Sequence, residues 1–309
     1  MSGENETPDA GSRRFRLDIA YDGTRFNGWS RQPGQRTVQG ELEAALASIF
    51  KSTPPPPMLA VAGRTDAGVH AVGQVAHLDL TAQQVARLTR PTRGKRPASY
   101  VEPAPAEALA RRVNGILGAS SDVVVTACAD APEGFDARFA AEWRSYEYRI
   151  ADSAALKDPL QRHRTLWLPG TLDNRAMDTA ALGLLGLHDF AAYCKPREGA
   201  TTIRTLQEFR WTRDADGVLV GRIRADAFCH SMVRALAGGC VAVGEGKLEP
   251  DRLAELLAVR ARTNEFVVLP ARGLTLMRVG YPPVDQLLAR TLLTRAKREP
   301  DSVAGASAV

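Results

Sequence analysis

A glycine-flanked loop in the first half of the chain carries a carboxylate and a guanidinium close together. Arg64 and Asp66 stand within the run Gly63-Arg64-Thr65-Asp66-Ala67-Gly68. Glycine lets the backbone turn tightly, so such a loop can present both side chains into a cleft. A nearby arginine favours the ionised form of a carboxylate, which suits a nucleophile or a base. An Asx turn or a loop salt bridge explains the same residues equally well, because aspartate is common in glycine-rich loops.

Hydrophobic spacing predicts the elements that position this loop. Apolar residues alternate from Phe15 to Tyr21, which indicates a strand, and they recur at helical spacing from Val38 to Phe50. The first half is thus predicted to hold a strand at 15–21, a helix at 38–51, strands at 58–62 and 74–80 joined by the loop 63–73, a helix at 105–118 and a strand at 123–125.

The same order of elements returns in the second half without sequence identity between the halves. The prediction there is a strand at 143–150, a helix at 173–187, strands near 209 and at 218–223, a helix at 228–243, a further helix at 251–260 and a strand at 274–281. This pattern indicates an α+β fold of two ferredoxin-like halves, each a split β-α-β unit. We expect the halves, 13–128 and 135–283, to join antiparallel sheets around a catalytic cleft.

Positive charge is concentrated in two segments outside the predicted elements. The net charge is +5, which weakly favours a polyanionic partner. The cations crowd a basic insertion at about 87–103 and the C-terminal end, and they are Arg87, Arg90, Arg93, Lys95, Arg96, Arg290, Arg295, Lys297 and Arg298. They could contact the phosphates of a polyanionic partner or only keep the surface soluble. Residues 1–12 and 285–309 are predicted to be mobile tails.

Several other classes of protein are disfavoured. No apolar run reaches the roughly 20 residues of a membrane helix, and the polar start lacks a signal core, so a cytoplasmic location is predicted. His70 and His77 stand in a loop and a strand, where structural roles are expected rather than metal ligation. The cysteines lie far apart without a Cys-x-x-Cys pair, so all four are predicted to be reduced thiols: Cys128, Cys194, Cys229 and Cys240.

The run from Gly63 to Ala71, followed by Gly73-Gln74-Val75-Ala76-His77, closely resembles the catalytic motif of the tRNA pseudouridine synthase A family. The resemblance spans nearly the whole chain between 15 and 281. Further motifs in the family's order are Tyr21-Asp22-Gly23-Thr24-x-Phe26-x-Gly28-Trp29, Thr37-Val38-Gln39-Gly40, Phe135-Asp136-Ala137-Arg138-Phe139, Arg144-Ser145-Tyr146-Glu147-Tyr148, His188-Asp189-Phe190, Thr202-Ile203-Arg204 and His230-Ser231-Met232-Val233-Arg234. Residues 88–102 and 262–270 depart from the pattern, which puts substrate reach and the pocket wall in doubt.

The resemblance implies roles for four side chains. Asp66 would be the catalytic residue, and Arg234 would hold it. Tyr146 would stack on the extruded uracil, although its place on one strand face with Tyr148 also fits two tyrosines covering the core. Arg64 would grip phosphate or hold the place of the flipped nucleotide, unless it is merely solvated.

The resemblance further implies an isomerase that converts uridine to pseudouridine at positions 38, 39 and 40 of tRNA, in the anticodon arm, and that works as a homodimer. The reaction demands no cofactor, because it involves neither redox nor phosphate chemistry. Two alternatives stay open at this level: a non-catalytic RNA-binding protein, which would not need Asp66, and a nucleoside hydrolase, which would release free uracil.

Overall fold

Two strand-helix-strand units share one ten-stranded sheet in the computed structural model, which describes residues 11–89, 102–197, 201–259 and 261–296. The strands are β1 (Arg13–Tyr21), β2 (Ala60–Val61), β3 (His70–Leu80), β4 (Val123–Asp130), β5 (Trp143–Ala151), β6 (Leu166–Trp167), β7 (Gly186–Asp189), β8 (Ile203–Arg213), β9 (Leu219–Ala225) and β10 (Leu274–Gly280). The helices are α1 (Val38–Ile49), α2 (Ala82–Leu88), α3 (Pro105–Leu117), α4 (Asn174–Leu182), α5 (Met232–Gly244), α6 (Pro250–Glu255) and α7 (Leu287–Ala296).

The strand order is the same in both halves. The first half has the order β4-β1-β3 with β2 also on β3, and the second has β10-β5-β9-β8, extended by β7. In each half the fourth strand lies beside the first, and the third lies between the first and the second. The predicted α+β class with two split β-α-β halves is therefore confirmed.

The joint between the two antiparallel halves is a parallel strand pair. The four main strands of each ferredoxin-like unit pair antiparallel, whereas β3 and β10 run parallel, with His70 opposite Thr275 and Ala71 opposite Leu276. This is possible because β2 is only two residues long and pairs with β3 near Ala76, which leaves the beginning of the same β3 edge free for β10.

Each half has its own hydrophobic core. In the first, β1 buries alternate residues from Phe15 to Tyr21 together with the apolar faces of α1 and α3. In the second, α4, α5 and α6 are packed together around Leu236 and Leu253. Tyr146 of β5 contacts both cores, so it marks the line along which the halves meet.

Local chemistry explains where the helices begin and end. The Thr37 side chain accepts a hydrogen bond from Gly40 N and caps α1, and α3 ends at Gly118, whose φ is +87°. The predicted helix 173–187 ends early at Leu182, because residues from Gly186 onward pair as β7. Helix α5 starts at Met232, not at residue 228, because Ser231 has a left-handed φ of 65°.

Two segments that were predicted to lie outside regular elements are partly helical. Arg87 lies on α2, and its Nε donates to Ile49 O at 2.6 Å, while residues 90–101 of the basic insertion lie outside the described residues. The tail prediction 285–309 is wrong for α7, because Leu287 is buried in the first core and Arg295 donates to Asp136 at 3.0 Å, which docks the helix against that core. Residues 1–10 and 297–309 lie outside the described residues.

The prediction of four reduced thiols is wrong for one pair. Cys194 and Cys229 form a disulfide with their Cα atoms 5.7 Å apart, whereas Cys128 and Cys240 are free. The intervening strands β8 and β9 return the chain to its starting point, which spacing in the sequence does not reveal. None of the helices in the described ranges has the length and hydrophobicity needed to cross a bilayer.

The buried imidazole of His77 should make stability depend on pH. Its Nδ1 accepts from Ala137 N at 3.0 Å, and burial, reinforced by the Arg14 charge, lowers its pKa from 6.5 to about 4. As the pH falls, His77 is protonated in the unfolded chain before it is protonated in the folded protein. The free energy of unfolding therefore decreases as the pH drops from 6.5 to about 4. The full loss would be about 3 kcal/mol.

Urea unfolding of the wild type and of His77→Gln, which keeps an acceptor but cannot titrate, measures this contribution. We expect the free energy of unfolding to fall less steeply with acidification in the variant. Parallel curves for the two proteins would show that His77 does not couple protonation to folding.

Candidate active site

Asp66 lies in the middle of the short loop that connects β2 to β3. Strand β3 already begins at His70, so the loop is shorter than the predicted 63–73. Asp66 O accepts from Val69 N at 3.2 Å, which closes a tight turn, and about a third of the Asp66 side chain (34%) is exposed. The carboxylate is therefore held on a compact turn and remains accessible to a substrate.

The segment after β1 supports the back of this loop. Phe26 O accepts from Gly68 N at 3.2 Å, and Trp29 N donates to Thr65 O at 3.1 Å. Gly28, with a φ of +83°, approaches so closely that a Cβ atom there would lie 2.8 Å from Thr65 O. The Tyr21-to-Trp29 motif and the Asp66 motif are thus two parts of one structure.

A buried hydrogen-bond network fixes the side of the loop next to β1. Tyr21 Oη lies 2.8 Å from Thr65 Oγ1, and Gln74 Nε2 donates to Gly63 O at 2.8 Å and to Tyr21 Oη at 3.3 Å. Burial raises the pKa of Tyr21 to about 12, so its hydroxyl remains protonated near neutral pH. The network orients the loop without adding charge beside Asp66.

Arg234 reaches Asp66 from the second half of the chain. Its Nη2 lies 3.3 Å from Asp66 Oδ2 and donates to Ser231 Oγ at 3.1 Å, and its Nη1 is 3.4 Å from Leu269 O. All residues of α5 except Arg234 are buried. Arg234 is therefore the single charged side chain on an otherwise buried helix. The structure therefore places Arg234 next to Asp66, the residue that the resemblance paired it with.

His230 is a neighbour of Asp66 that sequence reasoning did not single out. Its Nε2 lies 3.6 Å from Asp66 Oδ1, whereas Arg234 contacts the other carboxylate oxygen, Oδ2. It belongs to the same quoted motif as Arg234, but a lone histidine outside regular spacing gives no signal of its own.

Tyr146 of β5 lies between the two cores. Its ring makes an edge-on contact with Phe228, with centroids 5.2 Å apart. Burial raises the pKa of Tyr146, and the nearby Tyr21 and Asp66 raise it further, so its hydroxyl is protonated. Tyr148 is buried and donates to Pro270 O at 2.7 Å, the core role expected of it.

Two further arginines lie in or next to the Asp66 loop and differ in their hydrogen bonds. Arg64 is exposed, and its side chain makes no hydrogen bond or ion pair with the described residues. Arg144, which sequence analysis did not select, donates to Ala62 O and to Asp226 O, each at 2.9 Å. It thereby ties the start of the loop to the second half.

The arrangement can supply an oriented carboxylate beside a cation, together with a protonated phenol whose pKa responds to that carboxylate. These groups suit nucleophilic attack or proton transfer on a substrate that enters from the exposed side. Across the described part of the chain, His, Cys, Asp and Glu side chains form no group that could hold a metal ion.

Comparison with known proteins identifies the family. The model of the tRNA pseudouridine synthase family matches residues 19–113, which contain Asp66, and residues 180–282, which contain Arg234. The chain belongs to this family. It is 65% identical over 285 residues to the tRNA pseudouridine synthase A of Leifsonia xyli subsp. xyli, covering 92% of this chain and 97% of the relative. It is 50% identical over 292 residues to that of Frankia casuarinae, covering 94% and 98%.

Family membership makes the protein an isomerase that converts uridine to pseudouridine in tRNA. Among solved structures, the archaeal box H/ACA sRNP Nop10-Cbf5 complex aligns with 93% of this chain and 58% of its own at 9% identity and a TM-score of 0.30. That likeness is too slight to bear on the site.

Gly28→Ala should damage the site more than the fold. Both Gly28 and Gly34 have positive φ, +83° and +69°, but a Cβ at Gly34 meets nothing within 4 Å. Gly34→Ala is therefore the matched control, in which left-handed strain alone costs about 1–2 kcal/mol.

We expect Gly28→Ala to displace the Asp66 turn and to lower the rate of pseudouridine formation by at least about tenfold, since small misplacements cost that much. Gly34→Ala should keep near-normal activity. Thermal denaturation and a single-turnover assay on tRNA measure both effects, and equal activity in the two variants would contradict the contact.

Proposed function

We propose that the protein isomerises uridines at positions 38, 39 and 40 of the tRNA anticodon arm, with Asp66 as the catalytic carboxylate. The observation that carries this proposal is the contact between Asp66 and Arg234, 3.3 Å apart and contributed by opposite halves of the fold. The guanidinium in this position can donate a hydrogen bond to the carboxylate and orient it for nucleophilic attack or proton abstraction. The choice of tRNA positions rests on the family resemblance.

The reaction sets simple chemical demands. The bond from C1′ to N1 breaks, a bond from C1′ to C5 forms, and one proton leaves C5 while N1 gains one. Atoms and electrons balance without a redox cofactor or cosubstrate. The target uridine must leave the base stack to reach Asp66, because the glycosidic bond is inaccessible inside a helix.

Tyr146 and Arg64 would receive the flipped nucleotide. The Tyr146 ring, which Phe228 contacts edge-on, offers a flat surface for the base, and its protonated hydroxyl can donate or relay a proton. Arg64 stands exposed two residues from Asp66, where it can hold a phosphate or fill the gap left in the stack.

The larger assembly is also part of the proposal. We infer that the protein acts in the cytoplasm as a homodimer that grasps one tRNA across both subunits. The family resemblance supports this arrangement, and the net charge of +5 is compatible with a polyanionic substrate.

Asp66→Asn should abolish catalysis while preserving the fold. The change keeps the shape of the side chain but removes its charge, and we expect less than about a thousandth of the wild-type rate. Pseudouridine mapping on unmodified tRNA, circular dichroism and filter binding measure the three properties. Asp130→Asn is a control, because Asp130 pairs with Arg13 at the surface.

The same assay separates the competing functions. An isomerase leaves the mass of the tRNA unchanged and modifies positions 38 to 40, whereas a hydrolase releases uracil and a binding protein changes nothing. Modification by Asp66→Asn within tenfold of wild type would reject the catalytic assignment.

Tyr146→Ala and Tyr146→Phe should separate stacking from the hydroxyl. Base stacking on an aromatic ring is worth about 1 to 3 kcal/mol, so alanine should weaken tRNA binding about fivefold to more than a hundredfold. Phenylalanine should bind almost normally. Equal binding defects in both variants would mean that Tyr146 contributes through its hydroxyl.

A further inference from the structure

The two carboxylate oxygens of Asp66 face two different nitrogen-bearing side chains. Oδ2 lies 3.3 Å from Arg234 Nη2, and Oδ1 lies 3.6 Å from His230 Nε2. His230 lies just before α5, and Arg234 lies in the first turn of that helix. A carboxylate held at one oxygen can still turn about its Cβ–Cγ bond, whereas contacts at both oxygens fix its plane.

An unusual turn makes this double contact possible. Ser231, between His230 and the first residue of α5, has a φ of 65°, the left-handed region that is uncommon for a residue with a side chain. The turn lets His230 precede the helix at an angle from which its ring reaches the same carboxylate as Arg234. Ser231 Oγ also accepts from Arg234 Nη2 at 3.1 Å, so the strained residue helps to hold the cation.

The backbone around His230 is held by contacts that do not involve its side chain. His230 O accepts from Lys195 N at 3.0 Å, and the preceding Cys229 is bonded to Cys194. The side chain itself is 45% exposed, so burial in a core does not explain its position. Strained or rigidly held residues that lack a packing role are typical of functional sites.

We propose that His230 is a positioning residue that holds Oδ1 of Asp66 while Arg234 holds Oδ2, so that the carboxylate plane is set for the extruded uridine. The 3.6 Å separation is longer than a hydrogen bond, and such contacts commonly shorten when substrate binds. This inference rests on the proposed role of Asp66.

Three substitutions distinguish donation from packing. His230→Gln keeps an N–H donor in nearly the same place, His230→Phe keeps a ring without a donor, and His230→Ala removes both. His163→Ala is the matched control, because His163 is 48% exposed and also contacts a carboxylate, that of Asp22, at 2.9 Å.

The experiment measures single-turnover pseudouridine formation at saturating tRNA, and tRNA affinity separately. We expect His230→Ala and His230→Phe to lose about tenfold to a hundredfold in rate, the size of a positioning defect, with affinity changed less than about twofold. His230→Gln should recover most of the rate, and His163→Ala should match wild type. Circular dichroism confirms that each variant is folded.

Other outcomes would overturn the inference. Equal defects in His230→Gln and His230→Ala would mean that donation is not what matters, and a loss of affinity without loss of rate would make His230 an RNA contact. Unchanged rates in all three would remove it from the site. An active Asp66→Asn protein would instead refute the proposed function, which is a separate result.

Discussion

The contact between Asp66 and Arg234 joins residues 168 positions apart, and the fold must bring two independent cores together before it can form. Its contribution to stability is small, because a partly exposed ion pair is worth little. The value of the contact is positional. The remainder of the structure can be understood as the means by which a loop of one half and a helix of the other are kept within 3.3 Å.

The parallel joint of β3 and β10 provides that alignment. Strand β3 leaves the Asp66 loop directly, and β10 follows a stretch in which Leu269 pairs with the backbone of Arg234 and Ala271 packs against Gly68. The β3–β10 pair thus holds the Asp66 loop next to the segment that contacts Arg234. A shift of one residue in their register would turn these contacts away from each other.

Features that depend on neighbouring residues in the sequence were predicted correctly. Features that depend on contacts between distant segments were not. The Asp66 loop is visible because glycines bracket it, and β1 is visible because its burial alternates. The parallel joint, the disulfide and the contact of His230 with Asp66 all depend on chain segments brought together in space. Helix α7 was missed because its charged composition resembles a tail, although Leu287 and Arg295 dock it against the first core.

The place of β10 in the chain has a consequence for synthesis. This central strand is the last of the described strands to leave the ribosome, since it begins only at Leu274. Until then β5 and the beginning of β3 have exposed edges, which are prone to pair with other chains. The nascent polypeptide therefore contains both Asp66 and Arg234 well before it can align them, and activity should be acquired in a late step rather than half by half.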